Sequence, residues 1–350
     1  MIYRRIIRPL LFLLPPETVH DLVVFSMRIA MKLPGIKYLL KKFFSVKDKK
    51  LERKLFGINF SNPVGLAAGF DKNATSCNFL DAFGFSFIEI GTVTPEPQQG
   101  NPKPRSFRLT SDNALINRMG FNNKGVRHAM ENLKKRSPGI IIGGNIGKNT
   151  ITPNEDAVKD YLECFETLYD VVDYFAVNVS CPNIGDKGKL QDKETLEQIL
   201  STLKKNVPPG RENKPVLLKI SPDLNNEELS DVVEVAEKTG VEGIIATNTT
   251  ITRKNLRTPQ SRLEKIGDGG LSGEPLRKRS TEVIKYISKI SGKKIPVIGV
   301  GGIMTPGDAI EKLEAGASLV QVYTGFIYNG PGFVKALNKS LLKYIDKGEL

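Results

Sequence analysis

Cysteine is scarce in this chain, with three among 350 residues: Cys77, Cys164 and Cys181. So sparse and odd a set excludes a disulfide framework and fits a reducing compartment. Histidine is scarcer, with His20 and His128 only, and neither C-x-x-C nor H-x-x-x-H spacing occurs. No metal site is therefore expected. No apolar run approaches the ~20 residues of a spanning helix. The apolar stretch near the N-terminus is cut by Pro15-Pro16, and no A-x-A site follows it, which speaks against a signal peptide. Internal repeats and low-complexity tracts are absent as well.

What is present is an uneven positive charge. The chain carries +13, and residues 1–54 hold 13 Lys/Arg against 4 Asp/Glu, or +9 of that total. The same segment is apolar, with "IIRPLLFLL", "LVVFSMRIAMKL" and "IKYLLKKFF". Leucine and phenylalanine mixed with lysine and arginine favour an interfacial amphipathic segment over a nucleic-acid arm. A helix pair that merely caps a core is the plainer reading of these residues.

From Leu55 onward, short apolar runs recur between helical patterns. They are Val64–Ala67, Phe87–Ile90, Ile140–Asn145, Tyr174–Val179, Val216–Ile220, Gly243–Thr247, Val297–Val300 and Leu319–Tyr323. Continuous apolar runs suit strands buried on both faces. "TPGDAIEKLEAGA" predicts a helix capped by Thr305 with Pro306 in its first turn. Eight strand–helix repeats predict an α/β fold, a (β/α)8 TIM barrel with an N-terminal helical extension. A doubly wound sheet is the alternative. The domains expected are 1–50, a helical membrane-associating segment, and 51–350, the barrel. Residues 91–139 and 248–296 each read as a long loop before a helix, the first helix around Lys124–Lys135, and long loops are where a barrel carries function.

Barrel active sites lie at the C-terminal strand ends. Those ends deliver Asp71-Lys72, Thr92, Asn145, Asn178 with Cys181, Lys219, Thr247-Asn248, Gly301-Gly302 and Tyr323-Thr324-Gly325. Glycine turns after strands seven and eight suit a phosphorylated cofactor. Lys219 stands inside the apolar "VLLKI", which is costly unless the amine is paired or reaches the rim. Asn117, Asn122, Asn145, Asn178, Asn183 and Asn248 supply uncharged donor–acceptor pairs, as a pyrimidinedione-like ligand needs. A lone cysteine is usually a packing residue. At such a rim, in "NVSCPN" on a glycine-containing loop, Cys181 is instead a candidate base.

"NPVGLAAGFDKN", "IEIGTVTPEPQQGNPKPR", "INRMGFNN", "NIGKN", "NVSCPN", "IATNTT", "GGLSGEPL", "GVGGI" and "LVQVYTGF" occur in this order. Through them the chain resembles the dihydroorotate dehydrogenase family nearly end to end. "PPETVHD" and the helical patterns before residue 50 resemble its quinone-dependent class. The resemblance implies a flavin mononucleotide (FMN) enzyme of pyrimidine biosynthesis that oxidises dihydroorotate to orotate and passes electrons to a membrane quinone. It puts FMN against Ala68, Gly69, Phe70, Asp71, Lys72, Thr92, Asn145, Asn178, Lys219, Thr247, Gly273, Gly302, Tyr323 and Thr324. It puts the substrate against Lys72, Asn117, Arg118, Met119, Gly120, Phe121, Asn178, Asn183, Asn248 and Thr249. The catalytic base falls on Cys181, where the quinone-using class typically carries serine. His20, Arg108 and Tyr323 match residues lining its quinone tunnel. The resemblance further implies peripheral contact with an anionic membrane, on the cytoplasmic face if the source is bacterial, and no nucleic-acid partner.

Three alternatives remain at the level of sequence. A soluble relative using fumarate or NAD would have little need of residues 1–50. A dihydrouridine synthase would require a tRNA-binding domain, and none is evident. A nucleic-acid-binding protein would use the basic N-terminus and bind with strong salt dependence.

Overall fold

The computed structural model describes residues 2–179 and 192–348. Eight parallel strands close into a barrel: β1 (Val64–Leu66), β2 (Phe87–Val93), β3 (Ile141–Ile146), β4 (Tyr174–Asn178), β5 (Val216–Ile220), β6 (Gly243–Ala246), β7 (Val297–Val300) and β8 (Ala317–Val322). All eight fall where the apolar runs predict them, with ends shifted by up to three residues. The predicted cap holds too: Thr305 and Asp308 form a capping box on helix Pro306–Glu314. The barrel closes the question against a doubly wound sheet.

Side chains alternate along each strand between the barrel interior and the surrounding helices. On β5, Leu218 and Ile220 pack outward in the large helix-facing core, while Leu217 points inward. The inward residues at the N-terminal end of the barrel, Phe87, Tyr174, Leu217, Ile245, Ile298 and Leu319, form an apolar plug. A hairpin, Arg53–Leu55 paired with Ile58–Phe60, seals that end, with Phe60 edge-on to Phe87 at 5.2 Å between ring centres. The open end is therefore the one at the C-terminal strand ends.

The two long "loops" are not simply loops. Ser106–Leu109, Ala114–Asn117 and Gly270–Gly273 pair into a three-stranded antiparallel sheet beside the rim. Hydrophobic patterning could not reveal it, because two of its strands lie more than 150 residues from the third. The N-terminal segment makes three helical pieces rather than a pair: Tyr3–Phe12, Pro16–Ala30 and Ile36–Phe44. Pro15-Pro16 bends the first against the second by 119°. Among the described residues, no single helix is long and apolar enough to cross a membrane.

Candidate active site

A cavity of about 960 Å³ runs from the barrel rim up between the N-terminal helices. It collects nearly all the residues that the sequence puts at a site. Ala68 to Lys72, Thr92, Asn178, Lys219, Thr247, Gly273, Gly302, Tyr323 and Thr324 line it. So do Asn117, Met119, Gly120, Phe121, Asn248, Thr249, His20 and Arg108. Two expected residues do not reach the wall. Asn145 is fully buried beneath Thr92. Arg118 turns away, donating to the carbonyls of Pro104 and Ile266 and stacking on Phe107. Cys181 and Asn183 lie outside the described residues.

Under the cavity floor sits a polar layer, two residues further along the inward faces of β2, β5 and β8. Glu89 follows Phe87, Lys219 follows Leu217, and Gln321 follows Leu319. Glu89 is fully buried and accepts from Lys219 Nζ at 2.9 Å, Asn145 Nδ2 at 2.7 Å and Gln321 Nε2 at 2.7 Å. The pair explains how a lysine is tolerated inside "VLLKI": its counter-ion is a second charge inside "FIEIGTV". Glu89 and Gln321 were missed by sequence reasoning, although the signal that exposed Lys219, a polar residue in an apolar strand, applies equally to both.

The loop after β1 is fixed by Asp71. Its carboxylate accepts from Thr75 N at 2.8 Å, Ser76 N at 2.7 Å and Cys77 Sγ at 3.2 Å. Burial raises the Asp71 carboxyl above its usual range, against the pull of those donors. Asp71 thus shapes the loop from behind, and Lys72 projects to Asn122 Oδ1 at 2.5 Å. Cys77 and Cys164 are buried, and burial pushes both thiols well up, as packing cysteines require.

Toward the helices the wall becomes aromatic. His20 meets Phe70 edge-on at 5.1 Å, and Phe70 meets Tyr323 at 5.8 Å. Burial lowers the His20 pKa, so the imidazole is neutral at pH 7, and burial takes the Tyr323 phenol up to about 12. Arg108 donates to the Leu14 carbonyl at 2.6 Å and lies over the Phe12 ring at 4.3 Å. Arg105, which the sequence did not single out, pairs with Glu17 at 3.0 Å and also lines the cavity. Both arginines therefore tie the extension to the barrel.

The glycine turns are tight. A Cβ on Gly302 would lie 2.2 Å from Arg277 Cα, and Gly302 has φ +73°. A Cβ on Gly325 would lie 2.0 Å from the Ile303 carbonyl oxygen. Close packing against neighbouring backbone, as much as any ligand, demands glycine at both positions.

A barrel with a polar pocket at its open end, continuous with an apolar passage, is the architecture of an enzyme that takes a small polar ligand and a larger apolar one. Residues 50–345 match the family model described as dihydroorotate dehydrogenase. A relative from Christiangramia forsetii, named dihydroorotate dehydrogenase (quinone), is 54% identical over 97% of this chain and 99% of that protein. A protein of the same name from Thermosynechococcus vestitus is 45% identical over 99% and 97%. Among solved structures, ligand-free DHODH from Eimeria tenella superposes with a TM-score of 0.85 at 35% identity, covering 95% of this chain and 96% of that one. The chain belongs to the dihydroorotate dehydrogenase family.

Proposed function

We propose that this protein oxidises (S)-dihydroorotate to orotate in de novo pyrimidine biosynthesis, with FMN as cofactor and a membrane quinone as final acceptor. The observation that carries this reading is the single cavity joining the amide-rich rim to the aromatic passage beneath the N-terminal helices. The wall suits a flavin nucleotide. Gln321 Oε1 is buried with no hydrogen-bond partner among the described residues, an acceptor awaiting an imide N–H. Two glycine turns and Thr324, whose hydroxyl meets Ser272 at 2.8 Å, suit a phosphate. Ala68 to Lys72, Thr92, Asn178, Lys219, Thr247 and Gly273 would hold the ring and ribityl chain, with Asn145 acting from beneath.

Bound FMN would supply a two-electron acceptor for the substrate's hydride and a donor to quinone. The protein's part is binding, orientation and proton removal. Lys72 pairs with the substrate carboxylate, its head steadied by Asn122. Asn117, Asn178, Asn183 and Asn248 present amides to the substrate ring, with Thr249 and the Met119–Phe121 turn closing the wall. Cys181, just past β4, accepts the C5 proton as the C6 hydride leaves, so that the carbon–carbon double bond forms with both hydrogens accounted for. Lys219 places a cation where negative charge arrives on reduction. His20, Arg108 and Tyr323 line the quinone passage.

The exposed apolar residues of the extension, among them Leu10, Leu13, Phe25, Leu39 and Phe43, stand among lysines and arginines. They support peripheral contact with an anionic membrane, on its cytoplasmic side in a bacterial cell. The direct test is the absorbance spectrum of purified protein under anaerobic conditions. A flavin spectrum that bleaches with dihydroorotate and returns with a short-chain quinone is expected. A colourless protein, or one that dihydroorotate does not bleach, overturns the proposal.

A further inference from the structure

A buried ion pair is poor evidence for stability, because desolvation costs about as much as the pair returns. Lys219 and Glu89 occupy an inward layer that apolar side chains fill one step below. Their geometry does more than pair two charges. Asn248 Nδ2 donates to Asn178 Oδ1 (3.4 Å), and Asn178 Nδ2 donates to Thr92 Oγ1 (2.9 Å). The Thr92 hydroxyl donates to Asn145 Oδ1 (2.5 Å), and Asn145 Nδ2 donates to Glu89 (2.7 Å). Every donor in this series points toward Glu89. A carboxylate only accepts, so Asn145 must turn its NH2 downward and its oxygen up, and each group above follows in turn.

We propose that Glu89 is a positioning residue of the reaction: it fixes Lys219 under the cofactor ring as its counter-ion and sets the direction in which the rim amides donate. This rests on the flavin reading of the rim. Among the described residues, the charged or titratable groups of the layer are Glu89, Lys219 and Tyr174. Burial, reinforced by Glu89, keeps the Tyr174 phenol neutral. Lys72 adds a cation on the rim. With Glu89 in place, the Lys219 amine has a counter-ion whether or not negative charge has arrived above it. Removing Glu89 should let the buried amine lose its proton as pH rises while the ring is neutral, and regain it on reduction.

The test is the midpoint potential of the bound flavin, measured by spectroelectrochemistry from pH 6 to 9 in wild type, Glu89→Gln and the double variant Glu89→Gln/Lys219→Met. Glutamine keeps the shape, and Gln321 can flip to meet it. At pH 6, Glu89→Gln should favour the reduced form by on the order of tenfold, because one negative charge is gone while the ammonium stays. As pH rises the potential should fall more steeply than in wild type, reporting one extra proton taken up per reduction. The double variant should lose that extra slope. Potentials of Glu89→Gln that run parallel to wild type at every pH would overturn the proposal. If Glu89→Gln retains no flavin, recovery of flavin binding in the double variant supports it, and no recovery overturns it. Wild type without flavin would instead refute the reading of the rim.

Discussion

Cys181 is the proposed base, and that role should be separable from cofactor binding. Cys181→Ala should retain FMN but slow flavin reduction by dihydroorotate ~10²-fold or more in stopped-flow absorbance, the scale of general-base catalysis. Cys181→Ser should fall between, with its rate rising toward higher pH, since a hydroxyl ionises less readily than a thiol. A fully active alanine variant would return this cysteine to packing. Residue by residue, the rim was legible in two ways: Lys219 interrupts an apolar run, and Asn178 and Lys72 stand at the C-terminal strand ends. Glu89 and Gln321 were hidden because each lies inside an otherwise good strand rather than at its end. Arg118 sits in the motif "INRMGFNN", and Arg108 matches a residue of the quinone tunnel. Their neighbours explain why one turns to backbone carbonyls and the other to Leu14 and Phe12.

Among elements, helix Pro16–Ala30 and the antiparallel sheet beside the rim share the Glu17–Arg105 contact. The Glu17 and Arg105 side chains are only 18% and 9% exposed, so the pair is better shielded than a surface bridge. Glu17→Ala should cost about 1 kcal/mol or somewhat more. It should raise the quinone KM several-fold by loosening the helix, while dihydroorotate still bleaches the flavin at the wild-type rate. Equal damage to both half-reactions would show that the helix supports the whole site. The barrel strands were legible because both faces are buried and their residues are mostly apolar. The rim sheet was not, because its pairing depends on contacts across the chain and its short strands alternate with turn residues.

At the scale of the molecule, charge and apolar surface are concentrated at one end. Full-length protein should sediment with vesicles containing anionic lipid and be released at moderate salt, whereas neutral vesicles should retain far less. Removing residues 1–45 should leave a barrel whose flavin dihydroorotate still bleaches. It should abolish both vesicle binding and efficient quinone turnover. Unchanged quinone kinetics after truncation, or faster turnover with fumarate, would point to a different acceptor.

The extension's contacts have a bearing on how the protein is made. Tyr3 donates to the carbonyl of Ile327, and Arg8 to that of Tyr328, across more than 300 residues of chain. This segment therefore leaves the ribosome some 320 residues ahead of its partners. At elongation rates of about 5–20 residues per second, it waits many seconds with its apolar, basic surface uncovered. A nascent chain in that condition is already dressed for a lipid surface, so capture by the membrane has time to precede closure of the barrel.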